Sequence, residues 1–289
     1  MSTKSARLAV AGAALVVGLA ACGSSGGSPS APSAAGGGAG AGGAGGATAS
    51  ARPPHTTLDV LVTNDDGVGS AGIDAVARAL AALPNTAVHI VAPAANQSDT
   101  GGKTTVGDVS HDETTTASGL KATEVSGFPA DAVAVALNDL GLEPDLVVSG
   151  INEGQTLGPV VDLSGTVGAA RAAATRGIPA LAASQGLGDT YNYAPAVTQV
   201  LNWVAAHRSA LLASPSAGTP AVANLNIPNC FAGGSVRGLR ELASEPKDTV
   251  PPTVLVAQTC RSTASPADEI GAFNAGFATL TSVPASPKG

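Results

Sequence analysis

The feature that most constrains the fold is a short apolar strand that runs almost directly into two carboxylates. The run Leu58–Thr63 is nearly continuously apolar, which is typical of a parallel strand buried on both faces. Asp65 and Asp66 follow it, and the turn-forming residues Asn64 and Gly67 flank the pair. Ligands of open α/β sheets bind outside the carboxyl ends of the strands. The pair is therefore a candidate site for a hard divalent cation.

Short apolar runs alternate with Ala-rich helical patterns along most of the chain. The predicted strands are Leu58–Thr63, Val88–Ala92, Asp145–Ser149, Pro179–Ala183 and Ala221–Ile227. The predicted helices are Ile73–Leu83, Ala130–Leu140, Gly165–Gly177 and Tyr191–Ala213. This alternation predicts an α/β fold with a doubly wound, mainly parallel sheet.

Two segments interrupt the alternation. Residues 103–126 are rich in Thr, Gly and Val with a period of two, which predicts antiparallel strands projecting from the sheet. After Pro228, further strands are predicted at Val236–Leu242, Val254–Thr259 and Phe277–Val283, with a short helix at Ala267–Asn274. We expect one domain, residues 57–285, with a β-rich C-terminal extension.

The N-terminus is typical of an export signal. A short positive region precedes the apolar run Leu8–Ala21, which has signal-peptide length and is too short to span a bilayer. The run ends in Leu-Ala-Ala-Cys22, which resembles the lipobox of bacterial lipoproteins, in which the cysteine is lipidated. We predict a lipoprotein signal peptide at residues 1–22; the alternative is an ordinary signal peptide in which Cys22 is incidental.

A flexible linker is predicted to follow the signal peptide. Residues 23–56 are almost entirely Gly, Ala, Ser and Pro, and such a segment buries too little apolar surface to fold. We expect His55, near its end, to be an exposed linker residue and not a ligand. The prediction is an extracytoplasmic domain tethered to the bacterial cell membrane through the lipid on Cys22 only.

Two other cysteines and the overall charge agree with this placement. Cys230 and Cys260 are predicted to form a disulfide, as in exported domains; two free thiols or a metal-binding pair are the alternatives. The net charge is −7 and no cluster of Lys or Arg occurs, which excludes a nucleic-acid polymer as partner.

Polar residues follow two further predicted strands. Ser98 comes after the strand that ends at Ala92, and Asn152 comes after the strand that ends at Ser149. The carboxyl ends of parallel strands meet at one edge of a sheet, so both side chains are expected near Asp65 and Asp66. Two carboxylates, a hydroxyl and an amide oxygen suit Mg²⁺, Mn²⁺ or Ca²⁺ and not zinc.

Ser164, Gly165 and Thr166 stand at the predicted start of a helix. There they offer backbone N–H groups, hydroxyls and the positive end of the helix dipole to an anion. A hard cation beside such an anion site is what phosphomonoester hydrolysis needs. Each motif alone has an ordinary explanation as a turn, a loop or a helix cap; their succession at strand ends favours one shared site.

These motifs together resemble the SurE (survival protein) family of metal-dependent 5′/3′-nucleotidases and related acid phosphatases. The resemblance extends in order from about Leu58 to Val283. It is carried by Thr63–Gly67 with Gly72-Ile73, Ala92-Pro93 with Asn96–Ser98, Gly127–Asp131, Ser149–Asn152, Gly154, Gly158, Ser164–Val167, Gly177–Leu181 and Asn224–Pro228.

The resemblance implies a Rossmann-like, three-layer α/β/α core, one divalent metal ion, hydrolysis of a nucleoside monophosphate to nucleoside and phosphate, and a homodimer or homotetramer. The family's metal ligands fall on Asp65, Asp66, Ser98 and Asn152, and its phosphate contacts fall on Ser164, Gly165 and Thr166. The catalytic candidates are Asp65 and Asp66, and whether Asp65 is nucleophile, general base or only a ligand stays open.

The sequence also departs from the family between Asn152 and Ser164. Where the family has a second Asn, an acidic pair and a Tyr, this chain has Thr156, Pro159 with Val160, and Leu163. Ser70-Ala71 replaces the usual Ala-Pro. These changes bear on the leaving-group pocket and keep two alternatives open: an exported protein that binds a phosphorylated or anionic ligand without turnover, and a structural role in the cell envelope.

Overall fold

The computed structural model describes residues 55–213, 219–231, 233–244 and 257–287. The predicted signal peptide, Cys22 and nearly all of the predicted linker lie outside these ranges. The strands are β1 (Leu58–Thr63), β2 (Thr86–Pro93), β3 (His111–Thr115), β4 (Lys121–Val125), β5 (Leu146–Glu153), β6 (Ala180–Gln185), β7 (Val222–Ile227), β8 (Leu239–Glu241) and β9 (Ala278–Val283). The helices are α1 (Ala71–Ala81), α2 (Pro129–Ala134), α3 (Gly165–Ala174), α4 (Ala194–Leu211) and α5 (Glu269–Asn274).

The described strands form one sheet in the order β3-β4-β2-β1-β5-β6-β7-β9-β8. The six strands from β4 to β7 in this order run parallel to one another. The outer strands differ: β3 is antiparallel to β4, β9 is antiparallel to β7, and β8 is parallel to β9. All the parallel strands therefore end at the same edge, where the predicted ligands Asp65, Asp66 and Ser98 follow β1 and β2 and the predicted ligand Asn152 is the penultimate residue of β5.

Helices cover both faces of the sheet. Along β1, Val60 and Val62 belong to the apolar cluster that includes residues of α1 and α4, whereas Leu61 belongs to the cluster that includes residues of α2 and α3. Successive residues of a strand point to opposite faces, so β1 is buried between two helical layers. The predicted doubly wound α/β fold is confirmed.

The helical spacing read from the sequence also holds in α1. Ile73, Val76, Ala77 and Leu80 are all fully buried, at the three- and four-residue spacing of one helix face. The predicted helix Ala130–Leu140 is shorter as an α-helix, because α2 ends at Ala134 and the chain continues as a π-helical turn over Val135–Asp139.

The prediction for residues 103–126 was wrong in one respect. Strands β3 and β4 do form an antiparallel hairpin, but it does not project from the sheet. Val91 and Pro93 of β2 pair in parallel with Thr123 and Val125 of β4, which extends the main sheet. A period of two reveals a strand and one buried face, but not which neighbours the strand pairs with.

The C-terminal strands also extend this sheet. The predicted strand Val236–Leu242 shortens to β8, and Val254–Thr259 falls partly outside the described residues. Its described part, 257–259, is not a strand; the Gln258 side chain there accepts the backbone N–H of Asn229 and donates to the carbonyl of Leu187. Cys260 follows and forms a disulfide with Cys230.

Among the described residues, no helix is both long enough and apolar enough to cross a membrane.

Candidate metal and phosphate site

The turn after β1 presents the two carboxylates. Asn64 is fully buried, and its side-chain amide donates to the carbonyl of Gly67 (2.9 Å) and to the Ser70 hydroxyl (2.8 Å). Gly67 has a φ of 98°, a conformation that favours glycine. This turn brings Asp65 and Asp66, which would point to opposite faces of a continued strand, to one edge of the sheet.

The loop after β2 lies directly against this turn. The backbone N–H of Gln97 donates to the carbonyl of Asp65 (2.6 Å), and the Asn96 amide lies 3.4 Å from Asp66 Oδ1. Asn96 Oδ1 accepts the backbone N–H of Ser98 (2.9 Å), which fixes the local backbone there. The exposed Ser98 is thus held in a loop that contacts both aspartates.

The end of β5 reaches the same place. The backbone N–H of Glu153 donates to Asp66 Oδ2 (3.1 Å), so the neighbouring Asn152 lies beside the aspartate pair. The Asn152 side chain donates its N–H to the carbonyl of Gly154 (2.7 Å), which leaves its amide oxygen as the group suited to a cation. The pairing of β5 with β6 shifts register between Ser149 and Asn152, an irregularity that is common beside active sites.

The N-terminus of α3 completes the site. Thr166 donates its backbone N–H to Asp65 Oδ2 (3.0 Å) and its hydroxyl to Asp65 Oδ1 (2.6 Å). Ser164 caps the helix, its hydroxyl accepting the backbone N–H of Val167 (3.3 Å). A Cβ on Gly165 would stand only 2.7 Å from Asp65 Cβ, so glycine permits this approach. Both Thr166 donors therefore bond Asp65, and the phosphate contacts of Ser164, Gly165 and Thr166 stay a prediction.

The electrostatics of the aspartate pair favour a bound cation. Asp65 is 2 % exposed, and burial raises its pKa. Burial, and then the charge of Asp65, raises the pKa of Asp66 to about 7. Within the described part of the chain, no Lys, Arg or His forms an ion pair with either aspartate. A buried and a half-buried acid without a positive partner, on segments next to those that carry Ser98 and Asn152, fit a hard divalent cation.

Sequence reasoning missed the role of Thr156. This buried residue departs from the family pattern, yet its backbone is held by two asparagines of β7: its N–H donates to Asn226 Oδ1 (2.6 Å) and its carbonyl accepts from Asn224 (2.9 Å). Its hydroxyl lies 3.0 Å from the Ser184 hydroxyl and 3.4 Å from that of Ser164. The sequence did carry a signal for this contact: Asn224 and Asn226 are two residues apart on the otherwise apolar strand β7, so both side chains lie on the same face of the sheet.

Glu153 and Tyr193 were missed as well. The Tyr193 hydroxyl donates to Glu153 Oε1 (2.5 Å), and the backbone of Glu153 bonds Asp66. Burial, together with the Glu153 carboxylate, raises the pKa of Tyr193, so this tyrosine stays a donor. The signal was an acidic residue directly after the predicted ligand Asn152.

A second group of possible metal ligands lies at the opposite edge of the sheet. One ligand atom from each of His55, Asp59 and Asp145 falls within 4.8 Å of the others. His55 is not an exposed linker residue, because it is half-buried and its Nε2 lies 2.8 Å from Asp145 Oδ2. Asp59 is the second residue of β1 and Asp145 directly precedes β5, so this group stands at the amino ends of the strands, away from Asp65.

The comparisons with known proteins agree with this geometry. The profile of the family described as Survival protein SurE matches residues 60–245, a range that includes every predicted metal and phosphate residue. The 5′-nucleotidase SurE of Methanoculleus marisnigri is 38% identical over 183 residues, which cover 61% of this chain and 69% of that protein. The 5′-nucleotidase SurE of Halobacterium salinarum is 48% identical over 127 residues, and this match spans about half of that protein (46%).

The solved structures support the fold. The crystal structure of the SurE protein from Aquifex aeolicus superposes with a TM-score of 0.63 at 24% identity, covering 80% of this chain and 94% of that one. Because the family profile matches more than half of the chain, the chain belongs to the SurE family.

Proposed function

We propose that the chain is a divalent-metal-dependent phosphomonoester hydrolase that cleaves nucleoside monophosphates to nucleoside and phosphate. The observation that carries the proposal is the pair of Asp65, which is buried and bonds the N-terminus of α3, and Asp66, which is half-buried; neither has a positive partner among the described residues. Relatives named 5′-nucleotidase SurE support the substrate class.

The proposed metal ligands are the two aspartate carboxylates, the Ser98 hydroxyl and the Asn152 amide oxygen. This all-oxygen set suits Mg²⁺ or Mn²⁺, with Ca²⁺ as a further candidate. When bound, such an ion neutralises phosphate charge and lowers the pKa of a coordinated water. The chain's own part is to hold the four ligands at one edge of the sheet, and the Thr166 donors fix the orientation of Asp65.

The N-terminus of α3 is the proposed phosphate-binding element. Its first backbone N–H groups and the positive end of its dipole favour an anion beside the metal. Thr166 commits its N–H and hydroxyl to Asp65, so we assign the phosphate first to Gly165 and to the Ser164 hydroxyl. Asp65 and Asp66 remain the proposed catalytic residues, because Asp65 bonds Thr166 at the start of α3 and Asp66 bonds the backbone of Glu153, next to the proposed ligand Asn152.

We also propose that the domain works outside the cytoplasm, tethered by lipid on Cys22 and by the linker of residues 23–56. The lipobox-like Leu-Ala-Ala-Cys22 supports this, as does the Cys230–Cys260 disulfide, since disulfides persist in oxidising compartments. Fatty-acid labelling of the chain expressed in a bacterium should mark the wild type and not Cys22→Ser. Equal labelling of both would contradict the anchor. The homodimer or homotetramer stays a prediction for size-exclusion chromatography with light scattering.

The hydrolase proposal is tested by phosphate release from a panel of phosphomonoesters. The purified full chain is stripped with EDTA and then assayed with Mg²⁺, Mn²⁺ or no metal on 5′- and 3′-nucleoside monophosphates. We expect release only with metal. Tight binding of the same nucleotides with no release under any condition would contradict the hydrolase and support the binding-protein alternative.

A further inference from the structure

A pocket lies beside the carboxyl ends of β6 and β7, next to the site described above. Its volume is about 360 Å³, and its walls come from the segments that follow these two strands: residues 190–192 and 195 after β6, and residues 229–231 and 234–236 after β7. Small-molecule pockets span roughly 300–1,000 Å³, so this one is at the small end of that range.

The chemistry of the pocket differs sharply from that of the acidic site beside it. No lining residue carries a charged side chain, and two aromatic rings, Tyr191 and Phe231, contribute to the wall. Phe231 is 53 % exposed, so about half of its ring surface is open to a ligand. Such a surface suits a flat, uncharged ligand that can stack on aromatic rings.

The walls of the pocket are held rigidly. The Asn229 amide donates to the carbonyl of Thr190 (2.9 Å), which joins the two segments. Gln185, at the end of β6, donates to the carbonyl of Asn192 (2.8 Å). The disulfide from Cys230 to Cys260 fixes the residue directly before Phe231. A pocket that is formed before binding costs its ligand little ordering entropy.

A short chain of contacts connects the pocket to the aspartates. Tyr191 stacks on Tyr193 with ring centroids 5.8 Å apart, and the Tyr193 hydroxyl bonds the Glu153 carboxylate. The backbone N–H of Glu153 in turn bonds Asp66. Burial raises the pKa of Tyr191, and the charges of Glu153 and Asp66 raise it further, as expected for groups this close.

We propose that this pocket binds the leaving group of the substrate, the nucleobase of a nucleoside monophosphate, against the rings of Tyr191 and Phe231. The inference rests on the proposed hydrolase function and adds a specificity site to it. Phosphate would lie at the acidic edge with the metal, while the base, which carries no charge, would lie in the uncharged pocket. The enzyme would therefore prefer phosphomonoesters with an aromatic heterocycle over those of simple alcohols.

The test compares a substrate that has a ring with one that lacks it. The full chain is assayed with AMP and with glycerol 2-phosphate, as wild type and as Phe231→Ala. Stacking on an aromatic side chain is worth about 1–3 kcal/mol per base, and a half-exposed ring belongs at the low end, so KM for AMP should rise roughly fivefold. The value of kcat/KM for glycerol 2-phosphate should stay unchanged, and Phe231→Tyr should restore the KM for AMP.

Leu239→Ala is the matched control, because Leu239 is a 40 % exposed apolar residue on β8 that does not line the pocket. Leu239→Ala should leave the KM for AMP and the kcat/KM for glycerol 2-phosphate unchanged, and thermal melting should show that all variants fold. An unchanged KM for AMP in Phe231→Ala, or an equal loss on both substrates, would overturn the pocket assignment.

Binding of adenosine separates this inference from the hydrolase proposal, because adenosine has no phosphate and its binding needs no turnover. Calorimetry on the metal-free chain should detect adenosine binding that weakens in Phe231→Ala. If no phosphomonoester is hydrolysed but this binding is seen, the hydrolase proposal fails and the pocket stands. If AMP is hydrolysed and wild type binds no adenosine, the pocket assignment fails and the hydrolase proposal stands.

Discussion

Thr166 binds both oxygens of Asp65, one through its backbone N–H (3.0 Å) and one through its hydroxyl (2.6 Å). The residue that the Ser-Gly-Thr motif offers to phosphate thus also orients a proposed metal ligand. Partners that orient a ligand are nearly as important to a metal site as the ligand itself. The relationship makes the N-terminus of α3 part of the proposed metal site.

Removing the Thr166 hydroxyl should lower the affinity of the proposed site for its metal without abolishing metal binding. Thr166→Val keeps the side-chain shape and the backbone bond but loses the 2.6 Å contact to Asp65. Loss of such a partner typically costs about 10- to 100-fold in metal affinity or activity. A titration of activity against Mn²⁺ measures the change. Thr175→Val, on an exposed residue whose hydroxyl bonds only helix carbonyls, is the control. Equal metal dependence in both variants would contradict the assigned role of Thr166.

Gly165→Ala should disrupt the site through sterics alone. The new methyl group would stand 2.7 Å from Asp65 Cβ and 2.9 Å from its Oδ2, so the carboxylate must move. A displacement of about 1 Å in a catalytic site can cost on the order of 100-fold in rate. We expect kcat for AMP to fall by at least about tenfold. Gly102→Ala, where the methyl group meets nothing within 4 Å, should leave kcat unchanged. Wild-type activity in Gly165→Ala would show that Asp65 need not hold this position.

Metal binding should release a proton, because the pKa of Asp66 is raised to about 7. The metal displaces the proton that this carboxyl holds below its pKa, so the affinity for Mn²⁺ should fall about tenfold per pH unit below it. Calorimetry in buffers with different ionisation enthalpies counts the protons released. Asp66→Asn should remove this pH dependence along with most of the affinity. An affinity for Mn²⁺ that is the same at about pH 6 and about pH 8 would contradict the raised pKa.

The same raised pKa sets the sign of a stability effect. The folded state favours the protonated form of Asp66, because its pKa is higher in the folded chain than in the unfolded chain. In the metal-free chain, the stability that this preference contributes is complete below the pKa of Asp66 in the unfolded chain. That contribution is lost as the pH rises through the folded-state pKa of about 7. Divalent metal should therefore raise the melting temperature more at about pH 8 than at about pH 6. Differential scanning calorimetry measures both values. A larger shift at the lower pH would contradict this sign.

The Cys230–Cys260 disulfide should contribute substantially to stability. It closes a loop with a sequence separation of 30. Such a loop is worth about 3.6 kcal/mol in the chain-entropy model. Chemical unfolding of the wild type and of the double variant Cys230→Ala, Cys260→Ala measures the difference. A free energy of unfolding unchanged within about 0.5 kcal/mol would contradict a stabilising role for this bond.

The order of buried strands and one-sided helices could be predicted from the sequence because each depends on local periodicity. Leu58–Thr63 is β1 as predicted, and Ile73, Val76 and Leu80 bury one face of α1. Strand pairing depends on distant residues, which is why the parallel contact of β4 with β2 was missed. The same holds for His55, which its Pro-rich surroundings suggested was exposed but which bonds Asp145 across 90 positions.

The candidate site was predictable to the extent that the carboxyl ends of parallel strands share an edge. That rule placed Asp65, Asp66, Ser98 and Asn152 at neighbouring strand ends, which the contacts of Gln97 and Glu153 now join. The rule says nothing about hydrogen-bond partners. It did not reveal that the Thr166 donors bond Asp65, or that Asn224 and Asn226 hold the Thr156 backbone.

The most direct test of the metal site is AMP hydrolysis by the EDTA-treated full chain, with Mn²⁺ added back, for the wild type and Asp66→Asn. Asparagine keeps the size of the side chain and removes its charge. Thermal melting checks that the Asp66→Asn variant is folded. If Asp66 is a metal ligand of a hydrolase, wild-type activity disappears with EDTA and returns with Mn²⁺, and the variant stays inactive at the same Mn²⁺ concentration. Hydrolysis that survives both EDTA and Asp66→Asn would contradict the metal site and the function built on it.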